Sequence, residues 1–177
     1  MKTTKTIFKT TICMVLLSTL WFTGCKKSTN STPATTPSPT PTTTTYNLTA
    51  KVDGASFNSK DGKGQIYGNI LLITAYDVTN ANKYMLFNLN YDSLKVTTYQ
   101  LTKTASTGLT AYGEYDDATA AISYKTDSAT VADKITITKF DKTGKKISGT
   151  FNFTGIDKNN YSNQKVITNG SFTDLTW

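Results

Sequence analysis

The 177-residue sequence contains no histidine and no arginine. Without histidine, no Ser-His-Asp or Cys-His nucleophile system can be assembled, and no imidazole is present to ligate zinc or carry protons near neutral pH. Without arginine, the planar fork that reads phosphate or guanine bidentately is missing. Catalysis would be left to carboxylates, lysine, tyrosine or an oxygen-ligated metal. Cysteine occurs only at Cys13 and Cys25, and all four prolines lie before residue 42.

Acidic residues are also missing from the first 45 positions, which hold Lys2, Lys5, Lys9, Lys26 and Lys27. From Tyr46 onward 14 lysines face 12 acids, a net +2, so most of the formal charge of +7 belongs to the N-terminus. Lysine alone binds phosphate weakly and without sequence preference, so nucleic acid is not an expected partner.

What is present first is a secretory pattern. Three lysines in the first nine residues lead into the apolar run Ile12 to Phe22 and then Thr23-Gly24-Cys25. A basic start, a short apolar core and a small residue before a cleavage point make a signal peptide over residues 1–24. The run of 11 is too short for a spanning helix, which needs about 20 residues. Phe22-Thr23-Gly24-Cys25 resembles the lipobox of bacterial lipoproteins, with Phe22 where leucine is commoner. That resemblance implies cleavage between Gly24 and Cys25 and a lipid on the Cys25 sulfur. Two or three acyl chains, at about 0.8 kcal/mol per buried methylene, anchor a protein to a membrane effectively permanently.

Residues 25–45 then form a linker. From Ser28 to Thr45, 16 of 18 residues are Thr, Ser or Pro. Such a segment has no apolar surface whose burial could offset its ordering entropy, and it is expected to be disordered and partly extended. O-glycans on its hydroxyls are the alternative use of this composition.

Residues 46–177 read as an all-β domain. "YNLTAKV" alternates with period two, and Asp53-Gly54 is the dipeptide favoured in a two-residue hairpin leading into "ASFNS". Further strands are expected in "QIYGNILLITAY", "KYMLFNLN", "KVTTYQL", "TAYGEY", "AAISYKT", "KITITKF", "KISGTFNFTG" and "KVITNGSFTDL". The first two of these are apolar on both faces and are expected to be central. Asp141 to Gly144 marks a later hairpin, and only "NYDSLK" suits a brief helical turn. Nine or ten strands joined by short turns predict an antiparallel β-sandwich, with an incompletely closed meander barrel as the alternative. In "ISGTFNF", Ile147, Gly149, Phe151 and Phe153 share a face and form a core stripe.

Ile135 to Gly155 followed by "VITNGSF", with "AKVDGASFNS" as opening hairpin, resembles an uncharacterised family of Bacteroidota outer-membrane lipoproteins. The resemblance implies a location and a fold type, with no established activity, and no cofactor is expected. Surface-exported lipoproteins of that phylum resemble one another in acidic residues after the cysteine, whereas Lys26 and Lys27 follow here. The expected place is therefore the periplasmic face of the outer membrane, with the cell surface as the alternative.

Candidate sites in the domain are few. Glu114, Asp116 and Asp117 form the densest carboxylate group. Paired carboxylates serve glycoside hydrolysis or bind calcium, but at a strand end they are ordinarily solvated, and no metal site is expected. Ser93 in Asp92-Ser93-Leu94 and Ser128 in Asp127-Ser128-Ala129 resemble O-glycosylated positions of exported proteins of that phylum. Ten tyrosines, six phenylalanines and Trp177 could supply stacking surfaces for a glycan or a protein partner. The expectation is a monomeric, non-enzymatic binding domain on a tether. An envelope-interaction protein and a carboxylate-dependent glycan hydrolase are the alternatives. Replacing Cys25 with serine is expected to move the protein from the membrane to the soluble fraction; a variant that stays membrane-bound would refute the anchor.

Overall fold

The computed structural model describes residues 45–102, 111–127 and 132–177. Eleven strands occupy them: β1 (Leu48–Val52), β2 (Ala55–Ser59), β3 (Lys63–Tyr67), β4 (Ile70–Tyr76), β5 (Lys83–Asn90), β6 (Thr98–Gln100), β7 (Tyr112–Asp117), β8 (Ile122–Lys125), β9 (Lys134–Asp141), β10 (Lys146–Asp157) and β11 (Asn160–Thr176). No helix is present among the described residues, and Tyr91 to Ser93 form a turn.

The strands make one antiparallel sheet in the order β2-β1-β11-β10-β8-β7-β5-β4-β3. Strand β9 joins it on β10, and β6 pairs with β9. The sheet forks at β10, whose residues Lys146 to Asn152 pair with β9 and whose Ile156 and Asp157 pair with β8. It curls into a half-barrel, the incompletely closed form of the all-β architecture expected from the sequence.

Local chemistry accounts for most turns. Asp53 (φ 49°) and Gly54 (φ 83°) both adopt left-handed backbone between Val52 and Ala55, as a type I′ hairpin requires. The expected long strand "QIYGNILLITAY" is instead two strands, with Tyr67 paired to Ile70 across Gly68-Asn69. Gly68 (φ 59°) takes the first turn position, where a type II′ turn needs glycine. Consequently β3 is an edge strand and not a central one, with Ile66 42 % and Tyr67 57 % exposed. Strands β4 and β5 do lie inside the sheet, burying Leu71, Ile73, Ala75, Met85, Phe87 and Leu89 on one face.

The core fills the concave side. Phe87 of β5 meets Phe151 of β10 at a ring-centroid distance of 4.6 Å and Phe153 at 5.9 Å, so opposite walls of the curl touch through aromatic rings. Each such buried phenylalanine contributes roughly 1.5–3 kcal/mol by loss of apolar surface from water. The expected stripe is realised, since Ile147, Gly149, Phe151 and Phe153 are all buried. Its glycine is a space requirement: Gly149 pairs with Phe172, and a Cβ there would lie 2.7 Å from that ring. The reciprocal pair is Phe151 with Gly170, where a Cβ would overlap the Phe151 ring.

The two ends of the sheet path, β2 and β3, are consecutive in the chain and joined through residues 60–62. In that connection Gly62 is held by the Asn47 side chain, which donates to its carbonyl (2.9 Å) and accepts from its N–H (3.1 Å). Gly170→Ala is expected to destabilise the domain by about 1–3 kcal/mol through overpacking. Gly54→Ala, with nothing within 4 Å of the new Cβ, adds only the left-handed backbone cost of about 1–2 kcal/mol. Urea unfolding midpoints measure both, and an unshifted midpoint for Gly170→Ala would rule out the Phe151 ring lying across this position.

Candidate functional site

Turns at one end of the half-barrel gather polar residues around a hollow. The β1–β2 hairpin supplies Asp53, the end of β4 supplies Asp77, the start of β5 supplies Lys83 and the end of β7 supplies Asp117. Lys165 reaches in from β11. Together they border a cavity of about 320 Å³, with Phe57 and Tyr115 among its walls. That volume would take roughly ten waters, at the small end of the range for ligand sites.

The charges around this mouth are largely neutralised in pairs. Asp53 Oδ2 accepts from Lys165 Nζ at 2.8 Å, and its Oδ1 accepts the Val166 N–H at 2.9 Å. The lysine and the backbone donor together hold the Asp53 carboxyl below the usual range, and the same bond raises Lys165. Lys83 stands 4.0 Å from Asp117 Oδ2 in a looser pair. Asp77 is different: its Oδ1 accepts the N–H and hydroxyl of Thr79, and no lysine lies within ion-pair distance of it among the described residues. It is nonetheless only 7 % exposed. Tyr115, 4 % exposed and edge-on to Phe57 at 6.4 Å, has its phenol pushed up to about 12 by burial and then by Asp117 and Asp77.

The carboxylate group singled out in the sequence is divided by the pleat of β7. Asp117 faces the cavity, whereas Glu114 and Asp116 share the opposite face. They are not a solvated strand end, being 6 % and 7 % exposed. Glu114 pairs with Lys125 at 2.9 Å and accepts a hydrogen bond from Ser123. Asp116 lies across from Tyr84 on one side and Ser123 on the other, and its Oδ2 is buried without a hydrogen-bond partner. Burial and the adjacent Glu114 push the Asp116 carboxyl up to about 6, against the opposing effect of Ser123. Glu114 and Asp116 sit side by side on one strand, not opposed across a cleft as glycosidase carboxylates are. No group of three potential metal-ligating side chains occurs among the described residues.

Ser93 sits on the exposed turn after β5, its hydroxyl donating to Asn90 Oδ1 at 2.9 Å, while neighbouring Leu94 is buried. Gly24, Cys25 and Ser128 lie outside the described residues. At the end of the half-barrel away from the cavity, Trp177 stacks on Phe140 at 5.4 Å and both meet Tyr91 edge-on. Lys142 lies over the Tyr91 ring at 4.8 Å. Asp77, Lys83, Phe57 and Tyr115 had no sequence signal as a set, because they converge from separate hairpins.

A family model described as a domain of unknown function, DUF6252, matches residues 44–176. The chain belongs to this family. No curated protein and no solved structure matches the chain. Membership in DUF6252 agrees with the resemblance to an uncharacterised domain family and brings no assigned chemistry, so function rests on the sites themselves.

The Asp116 environment has a measurable consequence. A carboxyl raised in the fold above its ordinary 3.8 contributes stability that is full below pH 3.8 and lost as pH rises through about 6. The groups facing it are Glu114, Lys125, Ser123, Tyr84 and Tyr112. Asp116→Asn removes the cost of ionisation, so its melting temperature relative to wild type is expected to climb between pH 4 and pH 7 and then level off. A gain of about 2–5 °C is expected at pH 7.5, scaled down for partial screening. A difference that does not change with pH would contradict the assignment.

Proposed function

We propose that the chain is a lipid-anchored lipoprotein of a Bacteroidota cell envelope, with a non-enzymatic β-domain that binds a small ligand in the cavity at the mouth of the half-barrel. The observation that carries the binding reading is the convergence of aromatic Phe57 and Tyr115 with polar groups from four separate strands around about 320 Å³. Barrel mouths of this kind commonly hold small molecules, because rigid strands position the lining while open turns admit the ligand. The anchoring reading is supported by the basic start, the short apolar run and Gly24-Cys25, with the Thr/Ser/Pro tract as tether. Lys26 and Lys27 favour the periplasmic face of the outer membrane, and the domain acts as a monomer.

An envelope-interaction role is favoured by one separate observation. Strand β3 ends the sheet path, and its Ile66 and Tyr67 are exposed. A partner strand could add there.

A glycan array and an envelope pull-down with the full chain in nonionic detergent test the binding reading. Wild type is expected to retain a ligand that Ala55→Trp, a substitution at the cavity wall, no longer binds. Retention unaffected by Ala55→Trp would place recognition elsewhere, with β3 as the next surface to alter.

A further inference from the structure

The mouth cavity has an electrostatic imbalance that narrows the chemistry of its occupant. Of its three aspartates, Asp53 and Asp117 each have a lysine, whereas Asp77 has none among the described residues. Asp77 is 7 % exposed and has no lysine within ion-pair distance among the described residues, so its charge is available to a ligand cation in the cavity. Only Oδ1 of Asp77 is occupied, by Thr79. A second polar group is also free there. The Tyr115 side chain is 4 % exposed, lines the cavity, and its hydroxyl makes no hydrogen bond among the described residues. Both groups are acceptors that a donor-rich cation would satisfy.

The lining suits an organic cation better than a metal ion. A calcium ion takes six to eight oxygen ligands, and no three carboxylates among the described residues cluster closely enough to begin such a shell. The lining instead includes Val52, Ala55 and small exposed portions of Phe57 and Tyr115, which are 2 % and 4 % exposed and set edge to face at 6.4 Å. An apolar margin beside a counter-ion suits an ammonium group carried on a short carbon skeleton, which packs against that margin. The volume limits the ligand to roughly 10–15 heavy atoms, the size of an amino sugar or a short amine.

We propose that this cavity binds a small molecule carrying a protonated amine, with Asp77 as its counter-ion, the Tyr115 hydroxyl as an acceptor, and the Phe57 and Tyr115 rings against its carbon skeleton. The inference rests on the cavity being a binding site and adds the class of ligand.

The test is a calorimetric titration of the full chain in nonionic detergent with glucosamine, N-acetylglucosamine, glucose, cadaverine and calcium chloride. Saturable binding of glucosamine or cadaverine is expected, with glucose and N-acetylglucosamine at least tenfold weaker. Asp77→Asn is expected to weaken amine binding tenfold or more. Because Asp77 also holds Thr79, Tyr115→Phe provides a second variant that removes only a hydroxyl, with an expected threefold to tenfold loss. Equal binding of neutral and amino sugars, abolished by Ala55→Trp, would overturn the amine class and leave the cavity as a sugar site. Calcium binding in place of the amines would likewise overturn the class. Amine binding unchanged in both Asp77→Asn and Tyr115→Phe would overturn the assignment of these groups, and no binding by any titrant would count against the cavity and the class together.

Discussion

The antiparallel ladder between β10 and β11 holds the domain together, because every other part of the sheet attaches to one of these two strands. On one side β11 carries β1 and, through it, β2. On the other, β10 carries both β9 and β8, the roots of the two arms of the fork. The ladder is possible only because glycine faces phenylalanine in both directions, Gly149 with Phe172 and Gly170 with Phe151. Each ring covers the bare backbone of its glycine partner, so the strands stay paired while the rings project over the core. A side chain at either glycine would push a ring into a space already occupied by Phe87 or its neighbours.

The curl of the sheet follows from the same ladder. Between Ile147 and Gly149, β10 advances two residues while β11 advances three, from Leu175 back to Phe172. The same happens between Phe151 and Phe153, opposite Gly170 and Ile167. Each extra residue is a bulge, and each contains a residue with left-handed backbone: Asp174 at φ 48° and Asn169 at φ 51°. Asparagine and aspartate tolerate that conformation best among non-glycine residues. Bulges increase local twist and bend the strand, which lets a single sheet wrap its own concave face. Wrapping leaves two ends of different chemistry. One is plugged by Tyr91, Phe140 and Trp177, and the other is bordered by aspartates and lysines around open space.

These facts define what could be read from the chain. Alternation in "YNLTAKV", the Asp53-Gly54 turn and the stripe from Ile147 to Phe153 are local, and the fold reproduces them. Gly68-Asn69 is an equally local turn signal, but it sits inside a continuous apolar run, and the run concealed it. The bulges were not legible. Buried positions in β11 fall at Ile167, Gly170, Phe172 and Leu175, so period two breaks twice and no simple face can be drawn from sequence. The candidate site was less legible still. Glu114, Asp116 and Asp117 fall within four residues and so stand out as a group, yet strand pleating sends them to opposite faces. Asp53, Asp77 and Asp117 are distant in sequence, and each on its own reads as an ordinary turn residue.

Pleating of β7 also separates two electrostatic regimes that adjacent residues would otherwise share. On the face of Glu114 and Asp116, two carboxyls are buried together with one lysine, and protonation of Asp116 relieves first the cost of burying its charge and then the repulsion from Glu114. On the face of Asp117, the excess carboxylate is Asp77, which has an open cavity beside it. The two surpluses therefore call for different remedies. A proton suffices where the side chains are packed against one another; where they border a hollow lined by aromatic rings, there is room for a charged molecule. A domain carrying nearly equal numbers of lysines and acids has little net field to steer a ligand, so any selectivity in the proposed site would have to come from such local imbalance. Asp77, held in place by Thr79 and left without a cation, is where that imbalance is concentrated.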